Sequence, residues 1–188
     1  MSSQPKTFLT PQEYLEIERK AEYKSEYYAG EMFAMSGGTA NHSFIGCNII
    51  ALLTAKLRGS SCRAANSDLR VSVTPHGPFY YPDAMILCGE IKFADNRQDV
   101  VTNPVVIFEV LSPSTATYDL GEKFMQYQRI DSLREYVVVH QDSILVQRFE
   151  RREDGQWLAA FHNGLEGMVT LSSVPCALPM AEIYEGIQ

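Results

Sequence analysis

The sequence predicts an α/β protein: a mixed central sheet with flanking helices and additional antiparallel strands at the ends. Three observations predict it. Val105–Leu111 is a strand-like run, apolar on both faces apart from Glu109, as a central strand covered on both sides must be. A helical stretch from Tyr118 to Ile130 then leads to a second buried strand, Tyr136–His140. Together they make a βαβ unit, so the two strands should be parallel with a right-handed crossover. Beyond them, Ile144–Glu150, Gln156–Phe161 and Met168–Leu171 read as antiparallel strands.

The remaining elements follow in order. Thr10-Pro11-Gln12-Glu13 is a capping box with proline at the first helical position, opening a helix to about Lys20. Tyr23–Tyr28 and Glu31–Met35 flank Ala29-Gly30 and read as a hairpin, although Ala29 is a poor partner for Gly30 in such a turn. Apolar residues at 44, 45, 49, 52, 53 and 57 form a helical stripe over Thr39–Leu57, ended by Gly59. Leu69–Val73 alternates with period two, and Pro82–Cys88 is a short apolar strand with Asp83 at its start. Residues 89–103 are polar and read as a loop, Pro113-Ser114-Thr115 ends the strand before it, and residues 179–185 offer a last helical turn or two. The middle therefore runs helix, strand, strand, strand, helix, strand. No linker or repeat divides the chain. We read one domain over 1–188, with a core at about 39–141, an N-terminal helix and hairpin at 10–35, and C-terminal strands at 143–171.

Composition narrows the class. The chain has 188 residues, 45% hydrophobic and 21% charged, which is globular usage. No apolar run approaches the ~20 residues of a spanning helix, and the start, M-S-S-Q-P-K-T-F-L-T, lacks the apolar centre of a signal peptide. Cys47, Cys62, Cys88 and Cys176 are far apart and are expected to be reduced core residues. A cytoplasmic protein without a membrane partner is expected. The net charge of −7 argues against non-specific gripping of nucleic acid unless basic groups gather on one face. Two clusters invite that question: Lys56, Arg58, Arg63 and Arg70, and Arg148, Arg151 and Arg152 among Glu150, Glu153 and Asp154. The second is expected to be a solvated surface.

One constellation could carry chemistry. Val105, Ile107, Glu109 and Leu111 share a strand face. A carboxylate among apolar neighbours costs several kcal/mol unless a lysine, an arginine or a metal meets it. Asp83 is the nearest acidic candidate, and a divalent cation would resolve the repulsion between the two; Mg²⁺ favours one or two carboxylates with retained waters. Asp119 and Lys123 share a face of the crossover helix, so Lys123 can reach Glu109. The plainer reading is a surface Asp119–Lys123 pair with Glu109 neutralised by some other base.

Pro82-Asp83, Glu109-Val-Leu-Ser112-Pro-Ser-Thr115, Asp119-x-x-x-Lys123 and Glu135-Tyr136 together resemble the Uma-two family of restriction-endonuclease-like proteins, within the PD-(D/E)XK nuclease superfamily. Thr10-Pro-Gln-Glu-Tyr14-Leu15, Glu26 to Glu31 and His42 extend the likeness over nearly the whole chain. The resemblance implies a restriction-endonuclease-like fold, with Asp83 and Glu109 as ligands of Mg²⁺ or Mn²⁺ and DNA as the partner. The superfamily's usual lysine position, two after the second acid, holds Leu111; the resemblance points to Lys123 as a migrated substitute. It also makes Glu26 a candidate third acid, with an ordinary strand-edge glutamate as the equal alternative, while Ala29 stands where the family often has an acid. His42 either faces the site or serves the helix start, and we prefer the latter. Ser112 holds the turn or touches phosphate, Asp119 orients or merely pairs with Lys123, Asp68 is a turn residue and Tyr127 is core.

The leading expectation is a metal-dependent DNA endonuclease with Asp83, Glu109 and Lys123 as its catalytic set. A catalytically silent binding or regulatory protein on the same fold is the alternative. A glycosidase using the two acids ranks last, because Trp157 is the single tryptophan and no sugar platform stands out. Cutting both strands of a duplex suits a two-fold homodimer, through the terminal strands or the hairpin near residue 30.

Overall fold

The computed structural model describes residues 8–113 and 115–187. Residues 1–7 of the start read above, and Ser114 of the motif after Glu109, lie outside the described residues.

Thr10 opens helix α1 (Pro11–Glu18): its hydroxyl accepts from the Glu13 N–H, and the Glu13 carboxylate accepts from the Thr10 N–H at 2.7 Å. Strands β1 (Ser25–Tyr28) and β2 (Glu31–Ala34) pair antiparallel around Ala29 and Gly30. Their φ values of 50° and 87° are those of a primed turn, so Ala29 is held in the left-handed region in spite of its Cβ. Helix α2 (Ala40–Lys56) starts on Thr39, whose hydroxyl accepts from His42 N–H.

Next come β3 (Cys62–Asn66), β4 (Arg70–Ser72), β5 (Phe79–Tyr80), β6 (Ala84–Cys88), β7 (Val100–Val101) and β8 (Pro104–Leu111). The crossover is one helical segment of three parts: α3 (Ala116–Tyr118), a π-turn (Asp119–Lys123) and α4 (Phe124–Tyr127). Strands β9 (Glu135–His140), β10 (Leu145–Arg151), β11 (Trp157–Asn163), β12 (Met168–Leu171) and β13 (Cys176–Pro179) precede α5 (Met180–Ile183).

The main sheet has the order β11-β10-β9-β8-β6-β3 and is mixed: β8 and β9 are parallel and their other neighbours antiparallel. A second sheet, β2-β1-β5-β4-β7, packs on one face together with the crossover helix. There Val71, Tyr80, Ile107, Leu111, Phe124, Tyr127 and Tyr136 form one core. On the opposite face α2, α5 and the β12–β13 hairpin enclose Ile45, Ile49, Leu53, Val106, Phe108 and Val110. Strand β8 is thus buried on both sides, as its composition requires.

Three expectations need correction. The strand near Leu69–Val73 is not part of the central sheet: β4 joins the hairpin sheet, and β3 takes its place at the edge beside β6. Strand β3 reads Cys-Arg-Ala-Ala-Asn, with no β-branched residue and no apolar run, so its pairing with β6 leaves no local signal. Two cysteines are not reduced: the antiparallel register sets Cys62 opposite Cys88, and a disulfide joins them. Cysteine spacing of 26 residues hid a cross-strand neighbour, and the cysteines therefore give no argument for a reducing compartment. Members of both basic clusters are also committed elsewhere. Arg70 is buried against Asp99 rather than grouped with Lys56. Arg148 pairs with Glu135 and Glu150, and Arg151 donates to main-chain carbonyls and lies over Trp157, so neither is simply solvated. No helix among the described residues is long and apolar enough to cross a membrane.

Candidate active site

The site forms where the two sheets and the crossover helix meet. Asp83 stands just before β6, and its Oδ2 accepts from the Val110 N–H at 2.7 Å, which ties it to β8. Glu109, one residue earlier on β8, points to the face opposite the Val110 side chain, into the same cavity as Asp83, and is 4% exposed. Tyr127 from α4 donates its hydroxyl to Glu109 Oε1 at 2.8 Å. Lys123 Nζ lies 2.9 Å from the same oxygen, 3.0 Å from Glu26 Oε1 on β1 and 3.6 Å from Asp119 Oδ1. The Lys123 ammonium also sits 5.5 Å from the centre of the Tyr80 ring.

The π-turn is what places the lysine. A π-turn widens the helix by one residue per turn, a feature that recurs at functional positions. Here Asp119 and Lys123 bracket it, both buried, and Tyr136 fixes it by donating to the Asp119 carbonyl at 3.0 Å. His42 approaches from the first turn of α2, with Nε2 3.5 Å from Asp83 Oδ2. Its main-chain N–H serves the helix start while its ring turns to the acid, so both readings of this residue describe a part of it. Gly38 makes room for that ring: a Cβ there would lie 3.0 Å from His42 Nδ1. Ser112 and Thr115 share a hydroxyl contact at 3.0 Å in the turn after β8.

The charges are unbalanced. Glu26, Asp83, Glu109 and Asp119 line one cavity of about 670 Å³ around a single ammonium. Burial holds Glu109 well above the ordinary carboxylate range. Lys123 opposes that rise, and Asp119, Asp83 and Glu26 reinforce it. Burial likewise raises Asp83, against the pull of His42, the Val110 N–H and Lys123. For Lys123, burial favours the neutral amine, but Glu109, Glu26 and Asp119 together outweigh it and keep the ammonium form well above its usual value. The excess of carboxylate is relieved by protons or by a cation.

Hard oxygen donors of this kind suit Mg²⁺ or Mn²⁺. Among the described residues no three His, Cys, Asp or Glu side chains are already gathered as a metal shell. An ion held by Asp83 and Glu109 would therefore keep several waters, as Mg²⁺ ordinarily does.

All the residues expected at the site converge on this cavity: Glu26, His42, Asp83, Glu109, Ser112, Asp119 and Lys123 line it. Two contributors were not read from the sequence. Tyr127 is core, as expected, yet it also carries the hydrogen bond to Glu109; its spacing of four from Lys123 was the available signal. Tyr81 donates its N–H to Glu26 at 3.3 Å and its hydroxyl to the buried Glu18 at 2.8 Å, a link between distant segments with no local signature.

The architecture is that of a nuclease-type fold. The structure superposes on that of a protein described as a "putative nuclease belonging to DUF820" from Anabaena variabilis ATCC 29413, with a TM-score of 0.78 and 16% identity over 96% of this chain and 99% of that one. Residues 11–181 match the family model "Uma2: Putative restriction endonuclease", and the chain belongs to that family. It is 32% identical to the Synechocystis protein slr1290 over 98% of this chain and 96% of that one. It is 38% identical to sll1609 of the same organism, over 80% and 85%. Both relatives are described as uncharacterized.

Proposed function

We propose that the protein is an endonuclease that hydrolyses DNA phosphodiester bonds with Mg²⁺ or Mn²⁺. The observation that carries this reading is the Lys123 ammonium, buried 2.9 Å from Glu109 on a strand that also anchors Asp83. Asp83 and Glu109 would hold the ion, which when bound supplies Lewis acidity toward a phosphate oxygen and lowers the pKa of a bound water. The protein's own part is positional. Val110 N–H and His42 orient Asp83; Tyr127 fixes Glu109; Glu26 and Asp119 aim Lys123. Lys123, kept protonated by these neighbours, steadies negative charge that grows on the phosphate or orients the attacking water.

Cleavage of plasmid or oligonucleotide DNA with Mg²⁺ or Mn²⁺ tests the reading. Wild type should nick or cut, and Glu109→Ala should lose at least about a hundredfold in rate, a single-group effect of the usual size. Equal activity in that variant sinks the assignment. Where a duplex is cut on both strands, the reading includes a two-fold homodimer. The outer edge of β11 has no strand partner among the described residues, and its sequence, Trp-Leu-Ala-Ala-Phe-His-Asn, carries no Asp, Glu, Lys or Arg.

A catalytically silent binding protein is the second reading. It is favoured by the net charge of −7 and by a cavity whose one lysine is already paired three times. It predicts calorimetric binding of Mn²⁺ without turnover, or no binding.

A further inference from the structure

The cavity around Lys123 has a second wall that the phosphodiesterase chemistry does not use. Phe33 lies on β2 and is 49% exposed, and Met35 directly follows that strand. The register of the hairpin pairs Phe33 with Glu26, so the two side chains stand on the same face. Glu26 in turn touches Lys123. Tyr118, directly before Asp119, lines the cavity from the other side, with its hydroxyl 3.5 Å from that of Tyr80. An exposed phenyl ring, a thioether and a phenol ring thus lead to the carboxylates.

The charge on the lining limits what can enter. Glu26, Asp83, Glu109, Asp119 and Glu122 are acidic, and Lys123 is the one Lys or Arg among the lining residues. Alpha-helical Lys56 lies at the far end of α2 from His42, and Arg70 is committed to Asp99. A polyanionic duplex backbone finds no cationic track here. A neutral planar base meets no such repulsion, and stacking on exposed aromatic side chains is how unpaired bases are held. At about 670 Å³ the cavity falls within the roughly 300–1,000 Å³ that takes one small ligand, room enough for one nucleotide.

From this we infer that Phe33, Met35 and Tyr118 form a nucleobase subsite for one unpaired or flipped-out nucleotide, whose phosphate is thereby delivered to Asp83 and Glu109. Single strands, flaps and distorted duplexes are the substrates this geometry serves. The inference rests on the nuclease reading for its phosphate, but its base-binding half can be tested alone.

The test is equilibrium binding of oligonucleotides carrying 2-aminopurine, unpaired or within a perfect duplex, with Mn²⁺ present, alongside cleavage of the same strands. Wild type should quench the unpaired probe and bind it more tightly than the duplex. Phe33→Ala should weaken that binding about tenfold or more, the usual size of one lost base–aromatic stack, and Phe33→Trp should retain it. Circular dichroism of the Phe33→Ala protein controls for folding. Equal binding of paired and unpaired probes, or no effect of Phe33→Ala, overturns the subsite even if DNA is cleaved. Quenching that depends on Phe33 without any cleavage upholds the subsite and removes the nuclease reading. Neither binding nor cleavage removes both.

Discussion

Lys123 shows how one residue sets the state of its neighbours. Removing it leaves Glu109 and Glu26 facing each other without their ammonium. Breaking a buried pair in this way costs about 3–5 kcal/mol. Lys123→Ala should therefore lower stability by that order in urea unfolding near neutral pH, as well as abolish cleavage. A loss below ~1 kcal/mol would mean that the ammonium is not what holds the two carboxyl groups together. The sign for Glu109 follows from its raised value. Its contribution to stability is full below the ordinary carboxylate range and is lost as pH rises through the raised value. Asp99 behaves oppositely. Hydrogen bonds from Arg19 depress it, burial opposes this, and the charges of Arg70 and Arg19 add to the depression. Its contribution is present above the ordinary Asp value and is lost as pH falls through the depressed one. Asp99→Asn should cost about 2 kcal/mol at neutral pH, less than a fully buried pair because Asp99 is partly solvated. Urea titrations of the two proteins should converge as pH falls; parallel curves would refute the assignment. Asp99 lies outside the residues lining the cavity, so cleavage by this variant should stay near wild type.

At the level of elements, legibility followed the strength of the local signal. The capping box at Thr10, the apolar stripe of α2 and the two-sided burial of β8 each announce themselves within a few residues, and the parallel β8–β9 pair follows from the crossover rule. Strand β3 and the two-residue strands β5 and β7 carry little pattern of their own and rest on partners elsewhere in the chain, while β13 pairs with its neighbour β12 but reads only Cys-Ala-Leu-Pro. The acid and lysine positions were legible because a charge in an apolar strand demands a partner. The π-turn was not, since Asp-Leu-Gly-Glu-Lys has the spacing of an ordinary helix. Two substitutions probe these elements. Ala29→Asn should stabilise the hairpin by about 0.5–1 kcal/mol, because Asn tolerates the φ of 50° that Ala29 is forced to adopt. Gly121→Ala should add about 0.5–1 kcal/mol by helix propensity, since a Cβ there meets nothing within 4 Å. Thermal unfolding measures both. A destabilised Gly121→Ala protein would show that the π-turn needs glycine for its backbone and not merely tolerates it.

The whole molecule concentrates its polar commitments at one end of α2 and leaves an uncharged edge at another sheet margin. Strand β11 is the last strand of the main sheet, and Leu158 and Phe161 on it are 53% and 60% exposed. They fall on opposite faces, because Leu158 pairs with Glu150 and Phe161 with Gln147 on β10. Natural edges are ordinarily guarded by charge or proline; this one has neither between residues 157 and 163. A two-fold axis near Ala160 would set the strand antiparallel to its own copy with no like charges opposed. Sedimentation equilibrium should then show a dimer. Phe161→Lys should shift it to monomer, because the two copies would each bring a cation to the same edge. The exposed position of Phe161 should leave the monomer folded, which circular dichroism checks. Cleavage adds a second readout. One copy holds Asp83, Glu109 and Lys123 together, so on any substrate that the dimer cuts on both strands a monomeric variant should still nick one strand while losing the coordinated second cut. A wild-type protein that remains monomeric at high concentration would remove β11 as an interface and leave single-strand scission as the activity to be sought.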